Sequence, residues 1–256
     1  MDEDKKWAAC LTLLALVAVA VVVKRSFYPA VHDSDFQLDY QHFLNVPENL
    51  LVARPTHFTD GTGSLITSAR QRGGQYVMRM VGHNVSLEDV MAAAYGCNVS
   101  QVVPPVIEAK GHFDYLVTVP SRQRERLQAA VKTELGYTAH WENRDTDVLL
   151  LETVTPNPPA FKLSTATIGN VMLGRHKYQF IRGRPSSLLG FLDAGFKRPV
   201  LDRTGLTNFY DFSVEITWPW NSAPNRQQLE DMLGNLGLKL QPATESIPML
   251  VVEKVY

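Results

Sequence analysis

The sequence predicts an α+β fold in which an N-terminal transmembrane helix is followed by two tandem related modules, each a small sheet with two helices on one face. Three observations carry that expectation. Residues 7–23 (WAACLTLLALVAVAVVV) hold no charge. An aspartate between two aromatics occurs twice, in HFDYLVT (112–118) and FYDFSVE (209–215), and an apolar-alternating run follows each time. Two amphipathic helices run into Gly136 and Gly237, and the same eighteen residues then separate Gly136 from Val154 and Gly237 from Val255.

The apolar run is bounded by Lys5 and Lys6 before it and by Lys24 and Arg25 after it. As a helix it would be roughly 25 Å long, at the short end of what spans a bilayer core. Trp7 at one edge and a Leu/Val/Ala composition suit lipid. Ala18-Val19-Ala20 offers a signal-peptidase site, but three valines follow before any polar residue, which favours an uncleaved signal anchor. A buried core helix would be apolar along one stripe rather than all round. With the short tail MDEDKK on the cytoplasmic side, residues 1–25 read as tail and anchor. Residues 26–48 show no clear period and read as a juxtamembrane spacer.

The modules follow at 49–156 and 157–256. In the first, QYVMRMVGHNVSLEDVMAAAYG (75–96) holds a strand, a polar turn, a Ser-led helix start and a short apolar helix. Ser86 with Asp89 makes a capping box for the helix that ends near Gly96. QVVPPVIE (101–108) is a short strand and Asp114 opens another. Leu127, Ala130, Val131 and Leu135 then fall at helical spacing. In the second, KYQFIRGRPSSLLGFLDAGF (177–196) holds a strand, a polar turn, a Ser-led helix start and a short apolar helix, and RPVLD (198–202) is a strand. Asn225 with Gln228 is a capping box, and Leu229, Met232, Leu233 and Leu236 are the apolar side of a helix. Each tail reads as two strands around a polar turn: YTAHWEN and VLLLETV, then LKLQP and MLVVEKV. TPNPPAF (155–161), with three prolines in four residues, is the joint.

A net charge of −1 gives no reason to expect nucleic acid, which calls for a basic surface. Cys10 and Cys97 are too few for a disulfide framework, and Cys97 reads as a small buried hydrophobe. The seven histidines (32, 42, 57, 83, 112, 140 and 176) show no metal-ligand spacing, so no metal, cofactor or catalytic set is expected. Asp202, Arg203 and Gly205 read as a structural turn, the carboxylate capping backbone N–H groups and Arg203 pairing with Asp202 or Asp211. Asp114 and Asp211 read as aspartates on an exposed strand face or bonded to a nearby loop, with a shared ligand site as the sharper alternative. Arg122, Arg124 and Arg126 read as a solvated helix face, with contact to anionic lipid or glycan as the alternative. Trp218 and Trp220 are either an exposed recognition edge or a cover for the core, and the sequence leaves both open.

RPVLDRTGLTNFYDFSVEITWP (198–219) resembles the RPVVDRTGLTGxYDFxLxWTP stretch of a soil-associated family of bacterial exported proteins of unknown function. LGLKLQPATESIPMLVVEKV (236–255), NVSLEDVMAAAYG (84–96), GHFDYLV (111–117) and LGYTAHWE (135–142) are similar to other segments of that family. LLVARP (50–55) departs from the family's FEVASVKP. The element order also resembles the short N-terminal domain of secretin and TonB proteins, a small periplasmic interaction module. The resemblance implies a single-pass protein of the bacterial inner membrane with its bulk in the periplasm. It carries over no catalytic residue. The function expected is therefore non-catalytic binding of a protein or cell-envelope partner. The alternatives are a cell-envelope hydrolase acting through the Asp202–Asp211 region, or the sensory part of a signalling system.

Overall fold

The computed structural model describes residues 31–70, 76–106, 111–173, 177–215 and 225–255. The first half of the chain supplies strands β1 (Leu51–Pro55), β2 (Gly63–Arg70), β3 (Tyr76–Val85), β4 (Val102–Val103), β5 (Phe113–Val117) and β6 (Tyr137–Thr153). Its helices are α1 (Tyr40–Asn45), α2 (Leu87–Tyr95) and α3 (Gln123–Ala130). The second half supplies β7 (Lys162–Leu163), β8 (Asn170–Leu173), β9 (Lys177–Gly183), β10 (Val200–Asp202), β11 (Tyr210–Glu215) and β12 (Leu238–Lys254), with helices α4 (Leu189–Phe196) and α5 (Arg226–Asn235). Two sheets are ordered β1-β5-β3-β2 and β7-β11-β9-β8, the same order once six is added to each number. The third, β10-β6-β12-β4, maps onto itself reversed under the same shift.

One compact unit takes the described residues up to Gly96, those from Pro104 to Thr138 and those from Glu253 on. Its sheet is antiparallel throughout. The β3 sequence VMRMVGHNV does not alternate, so both faces of the strand are apolar and both must be covered. Ser86 caps α2 as the sequence predicts, accepting from Asp89 N, and Gly96 ends the helix at φ +71°. This helix buries Leu87, Val90, Met91 and Ala94 and packs on β3 and β5. On the opposite face Val81 and Leu116 meet Phe36, Phe43, Val46 and Leu50. The segment from Val31 onward thus contributes Phe36, Phe43 and Val46 to the core and is not a spacer. A missing period is what a segment of short turns shows, and its burial comes from single anchors such as Phe36 and Phe43, each 0% exposed. A fully buried side chain of that kind contributes about 2–3 kcal/mol.

The other unit takes Cys97–Val103 and Ala139–Val252. Here β9 does alternate, with Phe180 buried and Gln179 exposed. One core gathers Phe161, Phe180, Phe212, Leu192, Leu229 and Leu233 with Leu149 and Leu151 of β6. Phe180 and Phe212 stack at 4.5 Å between ring centroids. Asp193, only 3% exposed, accepts from Asn98 Nδ2 (2.5 Å), Ser100 Oγ (2.9 Å) and Val200 N (2.7 Å), which fixes the segment leading into β4. Burial still pushes its carboxyl above the ordinary value.

Both tails depart from the expected hairpins. β6 and β12 are unbroken strands of seventeen residues. Val154 N donates to Gly237 O and Val255 N to Gly136 O, so the two strands run antiparallel along their length. ENRD and PATES hold no glycine to turn on; Glu142 and Asp145 stand exposed along the ribbon and Arg144 and Glu245 half-buried. Counting in twos from those bonds, Pro242 and Pro248 fall where the backbone nitrogen points away from β6, so neither removes a ladder bond. The unit boundaries at 138/139 and 252/253 follow from this pairing rather than from the proline-rich joint.

The expected fold class is corrected. The described residues are mostly sheet with a few short helices, and no helix among them is long and apolar enough to cross a membrane. The longest continuous helical run, Gln123–Ala130 extended by a π-turn over Val131–Leu135, has thirteen residues and spans under about 20 Å, about two thirds of a bilayer core. The run 7–23, on which the anchor was read, lies outside the described residues. The single-pass inner-membrane placement with a periplasmic bulk is withdrawn on the same finding.

Candidate binding surface

The paired aspartates have a common task. Strand β3 shifts register between Gly82 and Val85, where Asn84 stands at φ +53°, and the pairing of β9 with β11 shifts where Arg182 stands at φ +55°. Asp114 Oδ1 accepts from Asn84 N at 3.0 Å, and Asp211 Oδ1 from Arg182 N at 2.8 Å. Each carboxylate clamps a left-handed bulge, one of the conformations in which a backbone N–H leaves the ladder and needs a partner. Asp114 is 0% exposed, against the exposed strand face that was one of the expectations, because Arg54 covers it with Nε at 3.3 Å. Both residues bond a bulge within a neighbouring strand, rather than a loop.

Asp202 forms a turn, accepting from Thr204 N (3.0 Å) and Thr204 Oγ1 (2.6 Å), with Gly205 at φ +70°. Arg203 pairs with Glu245 of β12 at 2.6 Å rather than with Asp202 or Asp211, whose carboxylates are held by their turn and bulge. Arg122, Arg124 and Arg126 are exposed at the start of α3, and the Arg124 guanidinium lies over Gly96. Trp218 and Trp220 lie outside the described residues. Among the described residues no group of three His, Cys, Asp or Glu side chains is placed to hold a metal ion.

The Ser164 hydroxyl and the Arg182 backbone N–H, both donating to Asp211, hold its carboxyl below the ordinary carboxylate value. A lowered pKa in the folded state stabilises the fold above the unfolded value and loses that contribution as pH falls through the folded one. Ser164→Ala is expected to raise the Asp211 pKa toward the ordinary value. An NMR titration of the side-chain carboxyl carbon checks this, and an unmoved midpoint would contradict the assignment. Asp193 acts with the opposite sign: its raised pKa favours the fold at low pH, and that contribution is lost as pH rises through it.

What sequence reasoning missed lies beside the outer strand of the β7-β11-β9-β8 sheet. A cavity of about 240 Å³ opens there, lined by Val171, Tyr178, Phe180, Ser187, Leu188, Phe191 and Val214. Six of the seven side chains offer apolar surface, and burial pushes the Tyr178 hydroxyl pKa upward. Among the described residues nothing pairs with the outer side of β8, whose Val171 and Met172 are 46% and 44% exposed. Alternation in KYQFIRG was the available signal for Tyr178 and Phe180 facing one way; nothing marked β8 itself. A second cavity of about 220 Å³ is lined by Leu149, Phe196, Arg226, Glu230, Leu233 and neighbours at the start of β12. Among the described residues, neither Asp202, Asp211 nor a histidine lines either cavity.

The fold and surface define a sheet-rich protein with one element order written twice, an open sheet edge and an apolar cavity beside it. Residues 88–255 match the family model DUF3738, described as a protein of unknown function, and the chain belongs to that family. No curated protein and no solved structure matches the chain.

Proposed function

We propose that this is a binding protein without catalytic activity, which takes up an extended segment of a protein partner along β8. The observation that supports this reading is the open edge of β8 lying against an apolar cavity large enough for one aliphatic or small aromatic side chain. A strand added to a sheet edge gains affinity from main-chain hydrogen bonds and specificity from pockets for alternate side chains. The resemblance of the 198–219 stretch to an exported family, and of the element order to the secretin and TonB short N-terminal domain, points the same way. The hydrolase reading lacks such support, since Asp202 and Asp211 are occupied with a turn and a bulge.

The test is display selection of heptapeptides on the purified protein, followed by affinity measurement on Ser187→Phe. Ser187 is exposed at the rim, so the phenyl ring is expected to fill the cavity with little change in melting temperature. Selected peptides should alternate apolar and polar residues and bind the variant about tenfold or more weakly, the value of one aliphatic side chain kept out of its pocket. A selection without binders, or binders indifferent to Ser187→Phe, would overturn the reading.

A further inference from the structure

At the end of the same sheet two arginines share one aromatic ring. The Arg182 guanidinium carbon lies 4.3 Å and that of Arg184 4.4 Å from the Phe209 ring centroid. Phe209 is 38% exposed and Arg184 is exposed. The platform is fixed from below: Ser164 N donates to Phe209 O at 3.0 Å, Arg182 N to Asp211 at 2.8 Å and Arg182 Nη1 to Ala166 O at 2.8 Å. Other arginines of this chain, such as Arg54, Arg144, Arg203 and Arg226, reach a carboxylate. Among the described residues neither Arg182 nor Arg184 has an ion-pair partner.

Two guanidinium groups on one ring repel each other, and among the described residues no carboxylate forms an ion pair with either. Stacking uses the flat face of a guanidinium and leaves its edge for a planar acceptor; Arg182 gives Nη1 to Ala166 O, and no such bond occupies Arg184 among the described residues. It also fixes side chains whose ordering otherwise opposes binding, so a carboxylate meets donors already in place.

Position completes the argument. Asn170, the first residue of β8, pairs with Ile181, the residue before Arg182, and Val171 at the cavity pairs with Phe180. Arg182 therefore stands two residues and Arg184 four residues from Phe180, roughly 7 and 13 Å along the strand direction, and β9 lies two strand spacings, roughly 10 Å, from a segment added outside β8. We propose that Arg182, Arg184 and Phe209 bind the acidic end of the segment that docks on β8, where that end turns across the end of the sheet, so that the partner is acidic two to four residues from the one entering the cavity. This rests on the strand-docking reading and narrows its partner to an acidic peptide.

The test uses a synthetic seven-residue peptide with two glutamates followed by alternating valine and threonine, its twin with two glutamines, and both in reversed order. Fluorescence anisotropy at low salt is run on wild type, Arg184→Gln and Ser187→Phe. The glutamate peptide in one order should bind wild type about tenfold more tightly than its twin, as one charge-assisted pair contributes. Arg184→Gln should abolish that preference while keeping the twin's affinity. Ser187→Phe should weaken both peptides alike. Equal binding of the two peptides to wild type, or a preference that survives Arg184→Gln, overturns the acidic site and leaves strand docking standing. No binding by any of the four peptides overturns both.

Discussion

Arg79→Ala is expected to lower unfolding stability by about 4 kcal/mol, the sum of three lost charge-assisted bonds less what water regains. The Arg79 side chain is 5% exposed and stands on the face of β3 that the N-terminal segment covers. Its Nη1 donates to Phe43 O (3.2 Å), Leu44 O (3.2 Å) and Val46 O (2.8 Å). These carbonyls belong to the end of α1 and the turn after it, where a helix has acceptors without internal partners. A six-residue helix does not persist alone in water, so its place depends on this cation and on Phe43 beneath it. Glu48 lies 3.9 Å from the same guanidinium but is 43% exposed, so Glu48→Gln should cost at most about 0.5 kcal/mol. Urea denaturation of wild type and the two variants separates these contributions. If Arg79→Ala cost no more than Glu48→Gln, the guanidinium would not be what holds the segment.

The same segment shows how far the sequence could be read. Strong periods were legible: the cappings at Ser86 and Asn225, the glycines at 96, 136 and 237, and the apolar sides of α2, α3 and α5 all follow from local rules. Segments whose burial is decided by something distant were not. Residues 31–48 have no period because two short turns present Phe36 and Phe43 as isolated anchors. The signal for their role lay elsewhere, in β3, whose apolar residues fall on both faces and demand a second cover. The second half lacks that demand: Gln179 and Ser213 stand where Val81 and Leu116 stand in the first. Edge strands were the other blind spot. β2, β7 and β8 are short or polar and take their strand conformation from a neighbour rather than from propensity. The proposed binding surface lies on such a strand, so its position was illegible even though Tyr178 and Phe180 stand in an alternating run. The long tails misled for a related reason. A polar stretch such as ENRDTD reads as a turn when it is a two-residue-period ribbon held by its partner strand.

Asp114→Ala is expected to cost about 3 kcal/mol, and the comparison with its counterpart tests whether the repeated triplet is structural. The carboxylate is 0% exposed and has two jobs: it receives Asn84 N of the bulge and faces Arg54 Nε. Alanine leaves the N–H at φ +53° without an acceptor and leaves Arg54 facing an uncharged interior, with Asp33 at 3.2 Å as its remaining anion. Asp114→Asn separates the two, since an amide oxygen still accepts from Asn84 while the ion pair is lost, so it should cost about 1–2 kcal/mol. Phe113 and Tyr115 on either side point to the opposite face and are 6% and 1% exposed, which is why the triplet reads aromatic, aspartate, aromatic. Asp211 performs the bulge clamp without a facing arginine and stands near solvent. Asp211→Ala should therefore cost clearly less than Asp114→Ala, yet more than a substitution at an exposed strand position such as Gln179→Ala. Thermal and urea unfolding of the set decides it. Equal losses at 114 and 211 would show that the bulge clamp alone sets the effect, and no loss at either would mean that the aspartates are kept for a ligand.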